Sequence, residues 1–176
     1  EFRGFKQSHV EELAEYSGIP VINGLTDEFH PTQALADIMT LKETFGTLKG
    51  LHWAFCGDGR NNVARSMMLI SAKMGIDFSI YSPKELYPDS EIIKICEPFA
   101  KNSGAKIQIS DKIDIVKGAD ALYTDVWVSM GEENLKDQRI KLLEPFQVNS
   151  ALMKSTGKDS VFLHCLPAVK GQEVTE

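Results

Sequence analysis

The chain has 176 residues, 43% of them hydrophobic, and a formal net charge of −6, so it can bury the core of one domain or a little more. The acidic balance, with no cluster of Lys or Arg, disfavours nucleic acid, whose phosphates need a basic face, and no run approaches the roughly 18 to 20 apolar residues that span a bilayer. Cys56, Cys96 and Cys165 are odd in number and widely spaced with no C-x-x-C, which argues against a disulfide framework or a structural zinc cluster and leaves a small-molecule partner in a reducing cytoplasm.

The chain opens at Glu1 without an initiator methionine and stops at Val174-Thr175-Glu176, which reads as a fragment, and no basic n-region followed by an apolar h-region stands at its start. Ser8 to Glu11 spells a capping box, so a short amphipathic helix is expected there, with Val10, Leu13 and Ala14 on one face and Gly18 closing it. Ile19 to Ile22 reads as a short strand. From Pro31, the apolar residues Leu35, Ile38, Met39 and Leu41 recur at helical spacing as far as Gly46. Leu48 to Gly50 is a junction.

Beyond the junction, strand and helix patterns alternate: Leu51 to Cys56, Asn62 to Met74, Asp77 to Ser82, Glu91 to Ser103, Lys106 to Ser110 and Ile113 to Gly118. Ala121 to Asp125 is a further strand, and a long loop follows it. Helical patterns then run from Asp137 to Leu143 and from Ser150 to Thr156, before a last strand, Val161 to Cys165. Such alternation predicts an α/β fold from about Thr47 to Cys165: a doubly wound parallel sheet with helices on both faces, Rossmann-like.

Ligands of such sheets bind beyond the carboxyl ends of the strands, where strand order reverses. Three strand ends supply chemistry there: Gly57-Asp58-Gly59-Arg60-Asn61-Asn62, then Asp125 with the loop Val126 to Gly131, then His164-Cys165. The glycines have a plain role in a tight strand-to-helix turn. As a dinucleotide fingerprint the stretch fails, because Asn62 stands where the third glycine belongs, and no cofactor is expected. Asp125 suits a ligand or an Asx turn capping Trp127 or Val128. Cys165 on an apolar strand fits a buried core thiol. His164 should point to the opposite face, which weakens a Cys/His nucleophile pair. No further ligand lies at metal-site spacing, so no metal is expected. Near the helix start, His30 and Gln33 are three apart and offer hydrogen bonds to one small polar group, although His30 also reads as a surface residue beside a capping Thr26 or Asp27.

Three blocks carry a resemblance. His30-Pro31-Thr32-Gln33 is similar to the carbamoyl-binding motif of the transcarbamoylases. Asp125 to Gly131, spelled DVWVSMG, and His164 to Pro167, spelled HCLP, resemble the signatures of ornithine carbamoyltransferases, and Gly57 to Asn62 fits the same family. The resemblance implies transfer of the carbamoyl group of carbamoyl phosphate to the δ-amine of ornithine, giving citrulline and phosphate. It implies three segments: 1–46, the end of a carbamoyl-phosphate-binding α/β domain with its connecting helix; 47–165, the ornithine-binding domain; and 166–176, a loop returning toward the first.

It further implies that His30, Pro31, Thr32, Gln33, Cys165 and Leu166 contact carbamoyl phosphate, with His30, Gln33, Asp125 and Cys165 catalytic. Asn62, Asp125, Ser129 and Met130 would hold ornithine, with Cys165 a contact rather than a covalent nucleophile and His164 a support. Family members add a Ser-Thr-Arg-Thr-Arg phosphate loop and a terminal helix that this chain lacks, and they assemble as homotrimers. The stretch around His30 is acidic, with Asp27, Glu28 and Asp37 and no arginine, so phosphate-binding cations must come from elsewhere. Arg65 departs from the family pattern and is expected to face solvent. Putrescine or aspartate carbamoyltransfer, or a non-catalytic amino-acid-binding module, are the alternatives.

Overall fold

The computed structural model describes residues 1–128 and 133–175. Five strands, β3 (His52–Cys56), β4 (Asp77–Tyr81), β5 (Ile107–Ser110), β6 (Ala121–Thr124) and β7 (Val161–His164), form one sheet. Its order is β5-β4-β3-β6-β7 and every pairing is parallel. The chain builds outward from β3 to β5, then returns to the other side of β3 with β6, so order reverses between β3 and β6 as expected.

Alternation along β3 sends Trp53 and Phe55 to one face and Ala54 and Cys56 to the other, all buried. On the first face they pack with Met67 and Met68 of α3 (Asn62–Met74), Ile92 of α4 (Ser90–Ser103) and Ile38 of α2 (Pro31–Phe45). Each such fully buried side chain contributes about 1.5 to 3 kcal/mol. The Trp53 indole donates to Ser71 Oγ at 2.7 Å, so its one polar atom is satisfied. The second face meets Val116, in a 3-10 turn at Ile113–Val116, and Leu152 of α6 (Ser150–Ser155). A further helix, α5 (Lys136–Leu143), precedes α6. Among the described residues no helix is long and apolar enough to cross a membrane.

The amino-terminal part departs from its sequence pattern. The helix α1 runs over Gln7–Tyr16, capped at Lys6 with no side-chain bond, so the Ser8 capping box is not made. The Gln7 amide instead goes to Asp27 Oδ1 at 3.1 Å, a partner remote in sequence. The expected strand at Ile19 to Ile22 lies instead at β2 (Asn23–Leu25), which pairs in parallel with β1 (Phe2–Arg3). Ile19 and Ile22 stay exposed. Pairing, not apolarity, decides which residues are extended here: Phe2 donates to Ile22 and Gly4 to Leu25.

Candidate functional site

The tight turn after β3 depends on two glycines. Gly57 has φ of 139°, in the region side chains avoid, and a Cβ on Gly59 would stand 2.9 Å from the Leu86 carbonyl oxygen. The turn delivers Asn61 as the cap of α3, its Oδ1 accepting from the Val63 amide at 2.7 Å. The same side chain donates from Nδ2 to Asp125 Oδ2 at 2.9 Å. One asparagine thus starts α3 and ties the end of β3 to the end of β6.

Asp125 is held from three directions. Besides Asn61, its Oδ1 accepts from the Val126 amide at 2.8 Å and from the Cys165 thiol at 3.1 Å. The amide it receives is therefore that of Val126, not Trp127 or Val128. Burial first, and then the Asp125 carboxylate, push the Cys165 thiol well above its usual range. A thiol held protonated in this way is the reverse of an activated nucleophile, whose thiolate is stabilised by nearby cations.

His164 supports this loop. Its ring is almost wholly buried beside Glu173, Nε2 standing 3.4 Å from Glu173 Oε1, and Nδ1 accepts the Leu166 amide at 2.8 Å. Leu166 has φ of 62°, uncommon for a side chain of its size and a mark of backbone held by its surroundings. The Leu166-Pro167 bond is cis. Because β7 ends at His164, strict alternation does not extend to Cys165. A donor atom of His164 lies within 4.8 Å of those of Asp125 and Cys165. Spacing along the chain does not mark Asp125 as a third potential ligand. In this arrangement the Cys165 thiol donates to Asp125, Asp125 also accepts from Asn61, and His164 Nδ1 accepts the Leu166 amide.

Opposite stands the amino-terminal part. His30 caps α2 through its backbone, with Pro31 in the first turn. Its amide donates to Ser66 Oγ of α3 at 2.7 Å, and its Nδ1 lies 3.4 Å from Thr32 Oγ1. Burial, and then the Arg3 guanidinium, push the ring below the usual imidazole value, against an opposing pull from Asp125. It is therefore neutral near pH 7. Gln33 donates Nε2 to Asp37 Oδ1 at 3.0 Å.

These groups share a cleft of about 670 Å³, lined by His30, Gln33, Asn62, Asp125, Cys165 and Leu166. Pro31 and Thr32 are not on its wall: Thr32 Oγ1 turns back to the Gly24 carbonyl at 3.0 Å. Asn62 reaches the cleft with Nδ2 already given to the Thr26 carbonyl at 2.7 Å. Ser129 and Met130 lie outside the described residues. A second hollow, lined by His52 and Asp77 at the amino ends of β3 and β4 and by residues of the edge strand β5, lies away from the carboxyl ends of β3, β6 and β7.

Two sequence expectations fail. The neighbourhood of His30 is not free of arginine, because pairing of β1 with β2 brings Arg3 to the cleft wall. Arg3 lies remote from His30 in sequence, and β1 is too short to register as a strand, so only tertiary pairing reveals it. Arg65 does not face solvent. It is 8% exposed and ion-paired to Asp89 and, at 3.3 Å, to Glu28, with its guanidinium 5.3 Å from the Phe29 ring centre. Its partners are 24 and 37 residues away, beyond any local pattern.

Residues 49–176 match the family described as aspartate/ornithine carbamoyltransferase, Asp/Orn binding domain, and residues 1–43 match that described as its carbamoyl-P binding domain. The chain is 56% identical over 184 aligned positions to the catabolic ornithine carbamoyltransferase of Streptococcus ratti, covering 100% of this chain and 55% of that enzyme. Among solved structures, ornithine carbamoyltransferase from Pyrococcus furiosus is 47% identical with a TM-score of 0.92, covering 98% of this chain and 55% of that one. The anabolic enzyme from Campylobacter jejuni is 41% identical with a TM-score of 0.92, over 99% of this chain and 58% of that one. The chain thus spans about half the length of the curated relatives it matches, as its 55% share of the Streptococcus ratti enzyme illustrates. Parallel strands in this order, the strand ends they gather and both domain matches lead to one conclusion: the chain belongs to the aspartate/ornithine carbamoyltransferase family.

Proposed function

We propose that this chain supplies the ornithine-binding half and the carbamoyl contacts of an ornithine carbamoyltransferase. In this reading residues 1–46 end the carbamoyl-phosphate domain, 47–165 form the ornithine domain and 166–176 return toward the first. The neutral δ-amine of ornithine attacks the carbamoyl carbon, the C–O bond to phosphate breaks, and the amine proton is released. The observation that carries the reading is the placement of Asp125, fixed at the switch point by Asn61 and Cys165 and facing the same cleft as His30 and Gln33.

A carboxylate so held suits the α-ammonium of ornithine. Cys165, kept protonated, lies beside it as a hydrogen-bonding contact for the reacting nitrogen. His30 and Gln33 hydrogen-bond the carbamoyl group, where donors to the developing oxyanion accelerate acyl transfer. The Leu166 carbonyl accepts from the carbamoyl nitrogen. Arg3 adds a cation on the phosphate side, and Asn62 keeps one amide N–H for the ornithine carboxylate, with Ser129 and Met130. We place the complete enzyme in the cytoplasm as a homotrimer. The three free cysteines support a reducing compartment, and the build of the family supports the trimer.

In the complete enzyme, Asp125→Asn should lower kcat/KM for ornithine by roughly 10- to 100-fold, the effect of removing a charged hydrogen-bond partner worth about 1.5 to 3 kcal/mol. Carbamoyl phosphate binding should be little changed. Unaltered ornithine kinetics would count against this assignment.

A further inference from the structure

One face of α3 grips the loop that leads into His30. Asn62 Nδ2 donates to the Thr26 carbonyl at 2.7 Å. One turn later, Ser66 Oγ accepts the His30 amide at 2.7 Å while donating to the Asn62 carbonyl at 2.7 Å. Between them, Arg65 holds Glu28 through Nη2 and Asp89 through Nη1, and covers the Phe29 ring with its guanidinium. Residues 62, 65 and 66 fall on one side of a helix. The four positions they engage, Thr26, Glu28, Phe29 and His30, are nearly consecutive. Asp89 is itself anchored, accepting the Glu91 and Ile92 amides as the cap of α4.

We propose that Arg65 is a positioning residue for His30, clamping the loop 26–30 of the first half against α3 and the α4 cap of the second; this rests on the proposed function. Burial is asymmetric across the clamp. The Arg65 side chain is 10% exposed, whereas those of Glu28 and Asp89 are 49% and 48% exposed. A guanidinium taken from water is costly to leave without partners, while half-hydrated carboxylates are not. Displacing the loop would therefore strip Arg65 of Glu28 and of the Phe29 face together and leave Asp89 to compensate its charge, which favours the loop in place. The His30 side chain makes no capping bond of its own, and its amide is held from α3 by Ser66.

Two variants test the clamp. Arg65→Ala removes it, and Glu28→Gln, at an exposed residue, removes one arm without opening a buried space. In the 176-residue chain, hydrogen exchange of the His30 amide should accelerate about tenfold or more relative to that of Phe55 in β3, since local opening then no longer breaks the ion pairs. In the complete enzyme, Arg65→Ala should lower kcat roughly 10- to 100-fold with the ornithine KM nearly unchanged, the signature of a misplaced transition-state donor. Glu28→Gln should shift both readouts in the same direction by less. A merely structural role would lower thermal stability while leaving kcat per folded molecule intact, and unchanged kcat overturns the proposal whatever the exchange data show. Lost His30 protection, in a protein whose unaltered complete form makes no citrulline, would keep the clamp and overturn the proposed function instead.

Discussion

Among single residues, Asp37 carries the clearest pH signature. It is 4% exposed on α2, one turn beyond Gln33, whose amide it receives. Burial raises its carboxyl to about 6 from 3.8, although the hydrogen bond from Gln33 and the nearby Tyr123 hydroxyl pull the other way. Between these values the folded state holds more protons than the unfolded one, so this residue's contribution to stability is full below about pH 4 and falls as pH rises through 6. The loss amounts to about 2 to 3 kcal/mol by pH 8. Asp37→Asn should remove that slope, so the difference in unfolding free energy between variant and parent should move toward the variant by that amount from pH 4 to pH 8. Denaturant titrations at the two pH values measure it, and a difference constant with pH would contradict the burial argument. Asp37 also decides which end of the Gln33 amide it draws back. With Nε2 so held, Gln33 presents its oxygen, an acceptor suited to a carbamoyl N–H.

Elements show where sequence suffices and where it stops. Helix α3 was legible to the residue because its start and stop are local: Asn61 caps it and Gly75, with φ of 72°, ends it. Pro31 and Gly46 bound α2 in the same way. Strands β3, β4 and β6 were legible as apolar runs because both of their faces are covered. What stayed hidden was set by partners distant in the chain: the β1–β2 pairing, the Asp27 bond to Gln7, and the placing of Arg3 and Arg65. The candidate site divides along the same line, since Asp125 and Cys165 sit at readable strand ends whereas Arg3 does not. Asn61 spans both kinds of information, and its two roles are separable. Asn61→Ala should cost about 1 to 2 kcal/mol, through the lost cap, and weaken ornithine use. Asn61→Ser keeps a capping oxygen and should recover most of the stability, yet not ornithine use, because the bond to Asp125 is still missing. Denaturant melts and ornithine KM in the complete enzyme distinguish the two, and equal recovery of both would show that the Asp125 contact is dispensable.

For the molecule as a whole, charge sets the limit on activity. The cleft wall carries Arg3 and Arg60 against Asp27, Asp58 and Asp125. Arg60 is committed to Asp58 through Nε and Nη2, at 3.1 and 2.9 Å. Such a wall favours an ammonium over a phosphate dianion, and phosphoryl leaving groups need several cations or donors at once. A polypeptide of these 176 residues should therefore bind ornithine weakly and form no citrulline above the uncatalysed rate, whereas the complete protein should bind ornithine and form citrulline. Citrulline assays on the two forms check this, and turnover by the shorter one would show that the phosphate is held by groups already present.

The reversal of strand order has a consequence in time. Trp53 of β3 pairs with Ala121 of β6, and a side-chain bond between the same two strands joins residues 68 apart. Two helices and two strands must be laid down before that contact can form, and parallel pairings of such long range are slow because a large loop must close first. The ends of β3 and β6 are also where Asn61 meets Asp125. As the chain folds, helical content and the β3–β4 edge can return early, but the cleft has no shape until its two central strands meet. Ligand recognition is then among the last properties the molecule acquires, and the first to vanish when that seam opens.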